Sequence, residues 1–154
     1  MIKSTYKIKL TNGDFMNEIK LFNTLPEEAK NIRITVFVDE QGFENELDEI
    51  DNTAIHALLY KDGQAVATAR MYEKDNGKAF YLGRIAVLKE FRGLNLGFEI
   101  VNALIEKARS LGAEKCEISA QCQAMGFYQK LGFKEEGETY LDEHCPHIHM
   151  EKIL

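Results

Sequence analysis

The residues with the clearest chemical potential are Arg92-Gly93-Leu94-Asn95-Leu96-Gly97, set between an apolar run ending at Val87 and a helical pattern from Phe98 onward. The first N–H groups of a helix have no intrahelical acceptor, and the helix dipole adds positive potential there. Glycines let the backbone approach an anion closely, and Arg92 adds a permanent charge. This is the chemistry of a cradle for a diphosphate, such as that of a nucleotide-bearing cofactor. It is not a P-loop, because no Gly-Lys-Ser/Thr follows, and it is not a dinucleotide fingerprint. A Gly-rich turn alone is a weak signal, since many strand-to-helix turns carry glycine for geometry only.

The elements that must position this loop can be read from periodicity. Tyr6 to Leu10 alternates as a strand and is closed by a turn at Asn12-Gly13-Asp14. Thr24 through Val38 reads as a helix, with Thr24 and Glu27 at capping-box spacing and Pro26 in the first turn. Ala29, Ile32, Arg33, Val36 and Phe37 fall on one face of it, and Gln41-Gly42 ends it. His56 to Tyr60 and Ala65 to Tyr72 flank the turn Lys61-Asp62-Gly63-Gln64 as a hairpin. Asp75 to Lys78 turns into Ala79 to Val87, an apolar strand expected to be buried on both faces. A helix over Phe98 to Ser110 carries the stripe Ile100, Val101, Leu104, Ile105 and Ala108, and Gly112 stands near its C-cap. A strand from Lys115 to Ala120, a short helix around Ala124 to Leu131, and strands Phe133 to Tyr140 and Ile148 to Leu154 complete the order β-α-β-β-β-α-β-α-β-β. The expected class is α/β.

Composition narrows the function classes. The chain has 154 residues, 45% of them hydrophobic and 29% charged, as in an ordinary globular protein. No apolar run approaches the roughly 20 residues needed to cross a bilayer, and Met1 to Lys7 lacks the apolar stretch of a secretory signal. A cytoplasmic protein without a membrane partner is expected. The net charge is −6 and no basic block stands out, which disfavours nucleic acid as a partner. Asp39, Glu40, Glu44, Glu46, Asp48, Glu49 and Asp51 crowd together. They read as a solvated acidic loop or, more sharply, as a wall attracting a cationic amine. Three scattered cysteines point to reduced thiols.

The order strand, Arg-Gly-x-Asn-x-Gly, helix, strand, then Phe127-Tyr128-Gln129-Lys130-Leu131-Gly132-Phe133 resembles the signature of the GNAT superfamily of N-acetyltransferases. Val36 to Gln41, Leu82 to Val87, Ala120-Gln121 and Cys145 to Met150 resemble its ElaA-like branch. The resemblance covers essentially the whole chain. It implies one domain over residues 1–154 with the GNAT fold: a mixed, mostly antiparallel central sheet, flanked by helices and splayed at the cofactor slot. It also implies acetyl-CoA as co-substrate. Ile85, Ala86 and Val87 would pair with the pantetheine arm, and Arg92, Gly93, Leu94, Asn95, Leu96, Gly97 and Phe98 would hold the pyrophosphate. Asn95 stands where the family's loop usually has glycine, and asparagine tolerates left-handed backbone better than other side chains do. Gln121 matches a position that contacts the cofactor or a bridging water. Tyr128 matches the tyrosine that protonates the departing thiolate, a reasonable task for a phenol.

An attacking amine must be neutral, so it needs a proton acceptor. Glu40 is the first sequence candidate and His56 the second. Arg33, Phe37, Gln41, Arg70, Arg84 and His147 are expected to line the acceptor side, the arginines either there or in structural ion pairs. Arg84, in an apolar strand, needs a partner, which an acidic-loop carboxylate could supply. Cys145, His147 and His149 would share one face of an extended strand and suit zinc, but no metal is expected, since a terminal strand explains the alternation. The leading expectation is acetyl transfer to the primary amine of a small-molecule or peptide acceptor. The alternatives are a CoA-binding sensor without turnover and an enzyme using a longer acyl donor. The sequence does not fix the oligomeric state; a homodimer is the assembly to test.

Overall fold

The computed structural model of the chain describes residues 2–9 and 15–154, with side chains from Asn17 onward. Within them one eight-stranded sheet runs in the order β1-β2-β3-β4-β5-β6-β8-β7. Its strands are β1 (Ile2–Lys9), β2 (Phe15–Phe22), β3 (Ile55–Lys61), β4 (Gln64–Lys74), β5 (Ala79–Val87), β6 (Lys115–Gln121), β7 (Lys134–Asp142) and β8 (Cys145–Ile153). Every neighbouring pair is antiparallel except β5 and β6, which α2 (Leu96–Ser110) joins as a crossover. The helices α1 (Glu27–Arg33) and α3 (Met125–Lys130) complete the set. This is the mixed, mostly antiparallel sheet with flanking helices that the resemblance implies. None of the described helices is long and apolar enough to cross a membrane. Cys116, Cys122 and Cys145 are free thiols.

Strand alternation separates two apolar layers. Ala57 and Leu59 of β3 face a cluster built on the α2 stripe Ile100, Val101, Leu104, Ile105 and Ala108. Leu58, between them, joins Ala29, Ile32, Val36 and Phe37 on the other side. β3 from His56 to Leu59 and β4 from Val66 to Met71 are continuously buried, so both faces of these strands are covered. β5, expected to be so, is only half-buried from Gly83 to Ile85 because it walls a cavity.

Three further expectations are corrected. The sequence reading missed β2, whose Asn17, Ile19 and Leu21 are buried and alternate with partly exposed neighbours. The helix expected from Thr24 begins at Glu27 with Pro26 at its N-cap, and no side chain caps it. It is α-helical only to Arg33 and continues as a π-helix over Ile34–Glu40, so Val36 and Phe37 stay buried although the winding changes. Leu10 and the turn expected at Asn12, Gly13 and Asp14 lie outside the described residues.

A buried ion-pair cluster binds α1 to the sheet through the acidic loop. Arg33 donates from Nε to Glu46 at 2.9 Å, from Nη1 to Asp51 at 2.8 Å, and from Nη2 to the Glu46 carbonyl at 2.9 Å. Arg70 reaches Asp48 at 2.6 Å and Asp51 at 2.8 Å, and Arg84 reaches Glu46 at 2.7 Å and Asp48 at 3.3 Å. Glu46 and Asp51 are buried and, with the more open Asp48, are neutralised by three arginines, so this part of the loop is not a free wall for a cation. The loop's other carboxylates remain exposed.

Arg70's hydrogen bond, against a smaller effect of burial, lowers the Asp48 pKa. Burial pushes Asp51 upward, but its bonds with Arg33 and Arg70 and the Arg33 charge outweigh this and hold it well below the carboxylate range. A depressed folded-state pKa gives stability that is present above the unfolded value and lost as pH falls through the folded one. Asp51→Asn is therefore expected to cost about 3–5 kcal/mol near neutral pH, leaving two buried guanidiniums short of a partner. Urea denaturation at roughly pH 7 and pH 3 should show the gap from wild type narrowing at the lower pH.

Candidate functional site

β5 and β6 pair only from Ala79 opposite Lys115 to Leu82 opposite Ile118. Beyond that point β5 stays with β4 while β6 stays with β8, and a slot opens between them. A bulge lies at the parting. Thr68 faces Ala86 and Arg70 faces Gly83, which leaves Arg84 and Ile85 against Ala69 alone. Arg84 takes the left-handed φ of 50°, a conformation that costs a residue with a side chain of order 1–3 kcal/mol. Its guanidinium is anchored on Glu46 and Asp48, and those bonds hold the strained backbone.

The slot widens into a cavity of about 690 Å³. At one end stands the loop before α2. Gly93 has φ 83° and Asn95 has φ 63°, both left-handed, so asparagine occupies the backbone state that the usual glycine would serve. The helix starts with the Glu99 N–H donating to the Asn95 carbonyl at 3.1 Å. The N–H groups of Leu96, Gly97 and Phe98 therefore have no intrahelical acceptor. A Cβ on Gly97 would stand 3.4 Å from the Phe127 ring, so the helix start packs closely on α3. Arg92 donates from Nε to the Val87 carbonyl at 2.9 Å, and its terminal nitrogens take both oxygens of Glu40, at 3.0 and 2.8 Å.

Tyr128 lines the cavity. Phe127 and Phe133 pack edge-on against its ring at 5.0 and 6.0 Å, so the packing role and exposure to the cavity coexist. Its hydroxyl makes no hydrogen bond with a described residue, and burial raises its pKa, keeping it a proton donor. Gln121 faces the same space and donates to Gln41 at 2.8 Å.

Of the residues expected from sequence, Phe37, Gln41, Arg70, Arg84, Ile85, Ala86, Val87, Arg92, Gly93, Asn95, Leu96, Gly97, Phe98, Gln121, Tyr128 and His147 line this one cavity. Leu94 points outward and is exposed. Arg33 belongs to the buried ion-pair cluster, and Glu40 is engaged by Arg92. His56 is 1% exposed and its Nε2–H donates to the Asp51 carbonyl at 2.9 Å. Burial, working against that bond, holds its pKa below the ordinary histidine value.

Phe43, Tyr72 and Tyr81 also line the cavity and were not expected. Tyr72 and Tyr81 face each other across β4 and β5 and stack at 5.4 Å, and burial pushes the Tyr81 phenol up to about 12. The hairpin alternation would have paired these two tyrosines; nothing local marks Phe43. The face shared by Cys145, His147 and His149 does not gather their ligand atoms. His149 turns instead to Glu117 and Glu151 at 3.2 and 3.0 Å. Those three form a group compact enough for a metal, but Lys74 and Lys115 already neutralise its carboxylates.

The acetyltransferase (GNAT) domain model matches residues 23–154. YjcF of Bacillus subtilis (strain 168), an uncharacterized N-acetyltransferase, is 38% identical over 130 residues, covering 82% of this chain and 91% of that one. The crystal structure of Escherichia coli ElaA aligns with a TM-score of 0.80 at 27% identity, over 89% of this chain and 99% of ElaA. A GNAT acetyltransferase of Elizabethkingia anophelis, solved with acetyl-CoA bound, has the same fold at 15% identity, with a TM-score of 0.73 over 90% and 98% of the two chains.

An anion entering between Arg92 and the helix start must displace Glu40, an exposed partner worth at most about 1 kcal/mol. Inorganic pyrophosphate, titrated calorimetrically, should bind about two- to fivefold more tightly to Glu40→Gln. It should bind at least tenfold more weakly to Arg92→Ala, which loses a charge-assisted contact worth about 1.5–3 kcal/mol.

Proposed function

Since the chain belongs to the GNAT acetyltransferase family, we propose that it moves an acetyl group from acetyl-CoA to the primary amine of a small-molecule or peptide acceptor. One observation supports the reading: where β5 parts from β6, a single cavity is lined by the glycine-bearing loop before α2, the unpaired edge of β5 and Tyr128.

In this proposal the cofactor's diphosphate takes the N–H groups at the start of α2 and the Arg92 guanidinium. Its pantetheine amides pair with the unpaired side of Ile85 to Val87 as an added strand would. The thioester then lies in the slot beside Tyr128 and Gln121. Acetyl-CoA supplies an activated acyl carbon. The chain's residues orient it, exclude water and handle protons. As the amine adds and the C–S bond breaks, charge develops on sulfur, and the Tyr128 hydroxyl is a donor that its burial keeps protonated. The acceptor enters from the opposite end, between Phe37, Phe43 and the Tyr72–Tyr81 stack. The proposal includes a cytoplasmic setting and free acceptors rather than nucleic acid or membrane. A homodimer belongs to it as the assembly to test.

Thiol release with acetyl-CoA and a panel of amines, polyamines, aminoglycosides and peptide N-termini tests the reaction. Tyr128→Phe should lower kcat by about 10²-fold with acetyl-CoA affinity unchanged by calorimetry. Unchanged turnover would remove the general-acid role. Pantetheine lacking the diphosphate should bind much more weakly than CoA; equal affinity would overturn the assignment of the loop.

A further inference from the structure

Neither sequence candidate for the proton acceptor is free to act. Glu40 spends both oxygens on Arg92, and His56 is sealed away from the cavity wall. Glu46, which does reach the wall, is held by Arg33 and Arg84. His147 differs from all three. It pairs in register with Gln121, on the side of the slot opposite Ile85 to Val87. Its Nδ1 stands 2.8 Å from the Cys145 carbonyl oxygen. A carbonyl can only accept, so Nδ1 carries the hydrogen and the neutral ring keeps its lone pair on Nε2.

Nε2 has no hydrogen-bond partner among the described residues, although the residue is largely buried. His147 lines the cavity. Its plane is fixed by Tyr140, stacked at 6.2 Å, and by Phe43, edge-on at 6.4 Å. An oriented ring, a fixed tautomer and an unpartnered lone pair on a residue of the cavity wall suit a general base.

The groups around the ring are identifiable from each packed element. Tyr140 comes from β7, Gln121 from β6, Phe43 from the loop after α1, and Cys145 from its own strand. The cavity wall also carries Glu46, Asp142 and Glu143, the last accepting from the N–H groups of Glu44 and Asn45. Tyr140 is itself held by Ser119.

The geometry points to His147 Nε2 as the acceptor of the amine's proton, an inference that rests on the acetyl-transfer reading above. The neutral amine forms its N–C bond to the acyl carbon, and the C–S bond breaks. The surplus nitrogen proton passes to Nε2, directly or through one water. The leaving thiolate takes the Tyr128 hydroxyl proton, and the imidazolium proton returns to the phenolate through solvent, so the cycle closes with amide and free thiol.

Two substitutions separate base from scaffold. In His147→Asn the side-chain amide can still donate to the Cys145 carbonyl, but no basic nitrogen remains. His147→Gln keeps a polar atom near Nε2 without basicity. With the amine giving most thiol release in the panel, both are expected to lose about 10²- to 10⁴-fold in kcat near neutral pH. Both should also lose the acid limb of the wild-type pH profile, regain part of the rate with added imidazole, and bind acetyl-CoA as wild type does. Full activity in His147→Asn, or an unchanged acid limb in either folded variant, would overturn the assignment. Wild-type protein that binds acetyl-CoA but acetylates no amine would instead overturn the reading on which it rests.

Discussion

Arg33 of α1, Arg70 of β4 and Arg84 of β5 converge on Glu46, Asp48 and Asp51 of a single loop, and the positions of α1, the loop and the bulged strand are settled together there. Ion pairs taken out of water gain little net stability, because desolvation offsets most of their attraction. Their effect here is on geometry. Guanidinium bonds are directional, and any other packing of α1 on the sheet would strand a charge away from solvent. The loop held in this way carries Phe43 to the cavity wall, while the same cluster holds Arg84 in its strained conformation.

The cavity follows from that constraint and from one topological fact. A parallel pair of strands inside an otherwise antiparallel sheet is joined by a long crossover, here α2, whose first turn lies beside the end of β5. The crossover therefore presents its unsatisfied N–H groups at the mouth of the slot that the parting strands create. Gly97 lets α2 pack against Phe127, next to Tyr128, so the start of α2 and the Tyr128 ring are set relative to each other by direct contact. On the opposite wall β8 carries His147 level with Gln121.

Much of this was legible in the sequence because it is local. The α2 stripe, the β3–β4 hairpin, the left-handed tolerance at Asn95 and the order of loop and Tyr128 all reside in short stretches. What was missed depends on distant partners. The acidic loop reads as solvated until Arg33, Arg70 and Arg84 arrive from three other elements. Glu40 looks like a free carboxylate until Arg92, far along the chain, takes both its oxygens. The π-helical turn of residues 34–40 leaves the buried positions of a regular helix occupied, so periodicity could not reveal it. The case of β2 was different: Ile19 and Leu21 alternate with charged residues, and with the polar Asn17 on the buried face the apolar signal is weak. His147 was legible as a cavity residue, but its tautomer is set by a main-chain carbonyl that only the fold brings into place.

The unpaired half of β5 is a strand edge placed inside a sheet. Edges at the rim invite other chains to pair, and the rim strand β7 here is exposed along its length and rich in glutamate, a charged guard against such pairing. From Gly83 to Val87 the vacant side of β5 instead faces a narrow gap, with β6 and β8 standing across it. A slender extended molecule can reach its backbone groups; a second polypeptide with side chains on both faces cannot easily do so. The fold thereby leaves these backbone groups open to the gap while withholding them from pairing with another chain.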